Sequence, residues 1–149
     1  MREIGCDDVG RRYFAALYSP GCLSELPWGS EPFDCVVFLC DADGAKRLTG
    51  ALCAELARSR VDWVQVAGRA AEELHDAIDR ASVAAGRQKK VGDGSPMTSW
   101  HEEAESLAAM AEVARLCLGG QDSVLVLVVG READLAAAVE AMQKGRTLI

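Results

Sequence analysis

Two apolar runs decide the fold of this chain: "DCVVFLCD" over Asp34–Asp41 and "SVLVLVV" over Ser123–Val129. Both runs are apolar at consecutive positions and rich in β-branched residues. Strands that are buried on both faces have this pattern, and such strands are typical of parallel sheets. The two runs therefore predict the central strands of an α/β domain.

The segments around these runs have helical periodicity. Residues 43–59, 69–86 and 131–145 each carry one apolar stripe at helical spacing, and a further helix is predicted from about Trp100 to Leu118. "VDWVQVA" over Val61–Ala67 alternates, with Asp62 and Gln65 at polar positions, and this predicts an edge strand.

Strands that alternate with helices predict a three-layer α/β fold, with a small, mostly parallel sheet and helices on both faces. Right-handed crossovers favour the strand order 2-1-3, as in a flavodoxin-like arrangement. Residues 1–33 are expected to form an N-terminal arm packed on a single domain of residues 34–149, and the arm can add one strand. Within the arm, residues 7–18 predict a short helix, and the prolines and glycines that follow predict a loop.

Composition narrows the class of protein. The chain has 149 residues and a formal net charge of −7, which argues against binding to a phosphate backbone. No apolar run is long enough for a membrane span, and the N-terminus lacks a signal-peptide pattern, so we expect a cytoplasmic protein without membrane or nucleic-acid partners. The six cysteines lack zinc spacing, and no glycine motif for nucleotides is present, so no cofactor is predicted.

A D-x-D-G sequence follows the first apolar strand, at Asp41 and Asp43. It resembles the opening motif of haloacid-dehalogenase-type phosphohydrolases. That resemblance implies a nucleophile at Asp41, a general acid/base at Asp43 and a magnesium ion. The chain departs from the family pattern at Ala45, where the family has Thr. The alternative is structural: Asp43 caps the following helix and Asp41 ends the strand.

The densest polar cluster is "GDGSPMTSWHEEAESL", at Gly92–Leu107. Ser99 and Glu102 have the spacing of a capping box, which predicts a helix start there. His75, Asp76 and Asp79 share a predicted helix. If the two segments pack together, two histidines and several carboxylates form a metal or acid/base set; otherwise each histidine makes a separate structural pair. The candidate binding residues are Trp100, His101, Glu102, Glu103, His75, Asp76 and Asp79.

These two stretches carry a second resemblance. "LHDAIDRA", followed by "PMTSWHEE", is similar to a group of small, uncharacterised bacterial α/β proteins with an H-D-x-I-D helix and an M-T-T-W-H-E turn. The similarity covers roughly residues 60 to 130 and departs at Ser99, where the group has Thr. It implies the fold and the characteristic positions, and it implies no activity.

Three functional hypotheses follow, of which the last is a scaffold or oligomer subunit with no site of its own. The first is a small acidic binding protein, such as an immunity-type protein that neutralises a basic toxin by covering it. The alternative is a metal-dependent hydrolase that uses Asp41 and Asp43, or His75 and His101.

Overall fold

The computed structural model describes residues 1–86, 96–116 and 119–144. These residues form one six-stranded sheet and four helices. The strands and helices, in chain order, are β1 (Arg2–Cys6), β2 (Arg12–Leu17), β3 (Phe33–Leu39), α1 (Ala42–Arg58), β4 (Val61–Ala67), α2 (Ala71–Ala84), β5 (Met97–His101), α3 (Leu107–Arg115), β6 (Ser123–Val129) and α4 (Glu132–Lys144).

The sheet is mostly parallel and has the strand order β1-β2-β6-β3-β4-β5. Only the β1–β2 pair is antiparallel. The predicted α/β class is therefore confirmed. The three strands recognised in the sequence lie side by side as β4, β3 and β6. The whole order differs from a flavodoxin-like sheet, because β6, the last strand in the chain, lies between β2 and β3.

Two apolar clusters cover the two faces of the sheet. α1 and α2 pack on one face, where Val37, Val64 and Leu125 are buried. α3 and α4 pack on the other face, over Phe38 and Val126. Every residue of β3 and of β6 is buried, as the two apolar runs predict.

The N-terminal prediction is corrected in detail. The short helix expected over residues 7–18 is wrong, since this segment contains the β1–β2 turn and strand β2. β2 pairs in parallel with β6 from Arg12 to Leu17 and is an internal strand of the sheet. The arm thus adds two strands, since β2 is hydrogen-bonded to β6 and β1 is hydrogen-bonded to β2.

The helix predicted from Trp100 is also corrected. Met97–His101 is strand β5, which pairs in parallel with β4. α3 begins only after Ser106, whose hydroxyl accepts from the N–H of Ala109 at 3.1 Å. The capping box predicted at Ser99 and Glu102 is therefore wrong, and the helix cap lies seven residues later. Cys117, Leu118 and Gly145, which end two predicted helices, lie outside the described residues.

β4 is internal rather than an edge strand, because β5 covers its free side. Within the described ranges, none of the helices is both long and apolar enough to cross a membrane.

Candidate functional site

The contact between α2 and β5 joins most of the polar residues singled out in the sequence. His75 lies on the sheet-facing side of α2 and is only 8% exposed. Its Nδ1 lies 3.0 Å from Asp76 Oδ1, and its Nε2 lies 2.9 Å from Thr98 Oγ1. Because a carboxylate only accepts, Nδ1 is the donor to Asp76. The Thr98 hydroxyl in turn donates to Asp79 Oδ1 at 2.7 Å.

Trp100 covers this hydrogen-bonded chain. It lies two residues beyond Thr98 on β5, so the two side chains point to the same face. The ring centroids of Trp100 and His75 are 4.4 Å apart, with the planes tilted by 50°. The indole remains 45% exposed. The indole of Trp100 therefore packs on His75 on one side and remains accessible to a partner on the other.

Exposed carboxylates lie on α2 and directly after β5, the two elements that carry His75 and Trp100. Glu72 and Glu73 are exposed in the first turn of α2, and the Asp76 side chain is 56% exposed. Glu102, just after β5, accepts from the backbone N–H of Glu72 at 3.4 Å. The first residues of α2 have no cap from Ala70, so Glu102 supplies an acceptor there. This contact holds the Glu102 carboxylate at the N-terminus of α2, two residues along the chain from Trp100.

His101 and Glu103 do not join this group. His101 follows Trp100 on β5 and therefore points to the opposite face, next to Ala67 in the register of the sheet. Its Nδ1 lies 3.5 Å from Glu103 Oε1. The convergence of His75 with His101 is therefore wrong, because a β-strand separates the two rings. A metal site built from both histidines is excluded for the same reason.

The D-x-D-G segment has a structural role in this fold. Asp41, not Asp43, caps α1: its Oδ1 accepts from the N–H of Gly44 at 3.0 Å. A Cβ at position 44 would lie 2.4 Å from Asp41 Oδ2, so the close approach requires glycine. Asp43 is exposed in the first turn. Within residues 1–86, 96–116 and 119–144, no three His, Cys, Asp or Glu side chains are grouped as metal ligands.

A cleft of about 390 Å³ lies at the carboxyl ends of the strands, where the topology predicts a ligand. It is lined by residues that follow β3, including Cys40, and by Arg69 and Asp134. Burial, together with the charge of Asp134, raises the pKa of the Cys40 thiol to about 11. The thiol therefore stays protonated at neutral pH and is a poor nucleophile.

Sequence reasoning missed Thr98, which joins His75 to Asp79. The signal is the T-x-W spacing, which places Thr98 and Trp100 on one face only if the segment is a strand. Five of the seven predicted binding residues are thus brought to one surface, which we call the Trp100 surface: His75, Asp76, Asp79, Trp100 and Glu102.

A family model described as a domain of unknown function, DUF7684, matches residues 15–144. No curated protein and no solved structure matches the chain.

Proposed function

The chain belongs to the DUF7684 family, and we propose that it is a binding protein that recognises a basic protein partner through the Trp100 surface. The observation that carries the proposal is the half-exposed indole, which is in contact with the buried His75, itself hydrogen-bonded to the exposed Asp76. Tryptophan is enriched among the residues that dominate binding energy. An indole that is already ordered loses little side-chain entropy on binding.

Charge supports a basic partner. The chain has a net charge of −7, and Glu72, Asp76 and Glu102 are exposed acids on the two elements that carry the indole and His75. Carboxylates at the rim of an interface mainly raise the association rate, and salt weakens this effect. A sharper form of the proposal is an immunity-type protein that occludes the basic active site of a toxin.

The test is capture of the products of the adjacent genes by the purified full-length chain at low salt. We expect a retained partner that Trp100→Ala loses. Val9→Ala is the matched control, since Val9 is 75% exposed in the β1–β2 turn and belongs to no part of the Trp100 surface. Glu102→Gln should slow association at low salt and have little effect at high salt.

Two results contradict the proposal. One is the absence of any retained product at low salt. The other is a partner that Trp100→Ala and the wild-type chain bind equally. For the immunity-type form, co-expression should also suppress the toxicity of the partner, and Trp100→Ala should abolish this protection.

A further inference from the structure

The hydrogen bonds around His75 determine how many protons its ring carries. Nδ1 lies 3.0 Å from Asp76 Oδ1, and a carboxylate only accepts, so Nδ1 carries a proton. The Thr98 hydroxyl has a single proton, which it donates to Asp79 Oδ1 at 2.7 Å. Thr98 Oγ1 therefore presents a lone pair to His75 Nε2 at 2.9 Å. Only a second ring proton, on Nε2, makes this contact a hydrogen bond.

A neutral ring does not satisfy all three contacts. With its proton on Nδ1, it sets a lone pair of Nε2 against one of Thr98, and the His75 side chain is only 10% exposed. If the hydroxyl donates to Nε2 instead, Thr98 and Asp79 are two acceptors 2.7 Å apart. A proton on Asp79 would also balance the bonds, but imidazole is the stronger base, with a usual pKa of about 6.5 against about 3.9 for an aspartate. The additional proton therefore lies on the ring.

The groups around the ring favour a cation. Its own helix presents Asp76 and Asp79, and Asp79 Oδ2 lies 3.7 Å from Nε2. β5 presents a hydroxyl and an indole, and β4 presents buried valines beside them. α1 contributes Lys46, which lines a cleft together with Asp76, and the segment after β5 contributes Glu102, which bonds to the first turn of α2. Within the described part of the chain, the ring pairs with two carboxylates and with no lysine or arginine.

We propose that His75 is a proton switch for the Trp100 surface: the doubly protonated ring orders Thr98, Asp76 and the indole, and loss of one proton releases them. The imidazole and indole centroids are 4.4 Å apart, and a cation within about 6 Å of an indole centroid is attracted by the π face. Deprotonation removes this attraction and breaks at least one of the three hydrogen-bond contacts. As a control of binding, the switch rests on the proposed function, with the protonated form as the one that presents an ordered indole to the partner.

The test follows the ring nitrogens of His75 by NMR of the ¹⁵N-labelled full-length chain, between about pH 5 and pH 9. The chain has two histidines, and a His101→Gln variant assigns the signals of His75. A doubly protonated ring gives two similar nitrogen shifts, whereas a neutral ring gives two widely separated ones. The heteronuclear NOE of the indole N–H, assigned with Trp100→Phe, reports the order of the indole. We expect this NOE to fall over the same pH interval in which the ring loses its proton.

Asp79→Asn separates the proton switch from an ordinary histidine. The asparagine amide can donate to Thr98, which frees the hydroxyl proton for Nε2 and satisfies a neutral ring. Deprotonation of His75 should therefore move to lower pH in this variant. Glu73→Gln is the matched control, since it removes a charge from an exposed position of the same helix and leaves the contacts of the ring unchanged; it should titrate as the wild-type chain does. In His75→Gln, the NOE of the indole should not depend on pH over this range.

Three results overturn the proton switch. They are a neutral His75 ring at about pH 6 in the folded chain, an indole NOE that does not follow the titration of the ring, and an Asp79→Asn variant that titrates as the wild-type chain does. These measurements need no partner, whereas failure to capture a partner contradicts the proposed function alone. A captured partner that is retained equally across this pH range, in salt that screens the change of charge, overturns the control of binding.

Discussion

His75 is the residue on which the Trp100 surface depends. Its ring contacts Asp76, Thr98 and Trp100, and it is almost fully buried. We expect His75→Ala to lower the free energy of unfolding by about 2–3 kcal/mol, because the change removes a nearly buried ring, its hydrogen bond with the Thr98 hydroxyl and its contact with the indole. Urea denaturation, followed by tryptophan fluorescence, measures this loss.

The double variant with His101→Ala tests whether the two histidines share a site. They lie on opposite faces of the sheet and have no partner in common among the described contacts. Their effects on the free energy of unfolding should therefore add to within about 0.5 kcal/mol. A larger interaction energy would show that the two rings are coupled, against the separation described above.

Asp34 predicts a pH dependence of stability. Burial raises the pKa of its carboxyl; the Gln121 N–H opposes this, and the charge of Asp62 adds to it. A raised pKa in the folded state means that the folded chain binds the proton more tightly than the unfolded chain. The resulting stabilisation is complete below the unfolded pKa of about 3.9 and is lost as the pH rises through the folded pKa.

Asp34→Asn removes this titration and keeps a side chain of the same size. The variant should be more stable than the wild-type chain at pH 7, and the difference should shrink or reverse as the pH falls toward 4. Thermal unfolding across this pH range measures it. A wild-type chain that is the more stable of the two at pH 7 would contradict the prediction.

At the scale of elements, two serines distinguish the observed start of α3 from the one that the sequence suggests. Ser106 caps the helix, and Ser99 lies in β5 with an unpaired hydroxyl. Ser106→Ala should cost about 1 kcal/mol of the free energy of unfolding. Ser99→Ala should be neutral or stabilising, because it removes a buried polar group that has no partner. If urea denaturation showed a larger loss of stability for Ser99→Ala than for Ser106→Ala, the helix cap would instead lie at Ser99.

β5 shows why short edge strands escape sequence analysis. Five residues give too few alternations to establish a period of two, and S-x-x-E at Ser99 imitates a capping box. Only the pairing with β4, a long-range contact, selects the strand. Because β5 was not predicted, β4 had no neighbour on one side, and its polar Gln65 was interpreted as a sign of an edge strand. In the fold, Gln65 is 2% exposed.

For the whole molecule, the sequence predicted what local pattern determines and missed what depends on distant pairing. β3 and β6 are recognisable because every residue in them is buried, whatever their neighbours are. β2 is not, since an apolar run such as Tyr13–Leu17 suits a helix as well as a strand. The residues of the Trp100 surface were named from two polar segments of the sequence. Which of them meet depends on the face of β5 from which each side chain projects.

Two N-terminal truncations test how far the sheet depends on its first strands. β1 pairs only with β2 in the sheet, and α4 reaches it where the side-chain amide of Gln143 donates to the carbonyl of Ile4. Removal of residues 1–10 should therefore leave a folded chain that unfolds cooperatively at a lower urea concentration.

Removal of residues 1–18 also takes away β2, which pairs with β6 from Arg12 to Leu17. β6 is the most apolar strand, and its uncovered edge favours aggregation. We expect the longer truncation to be insoluble or to lack cooperative unfolding by circular dichroism. A soluble, cooperative chain of residues 19–149 would instead show that the first two strands are dispensable for the fold.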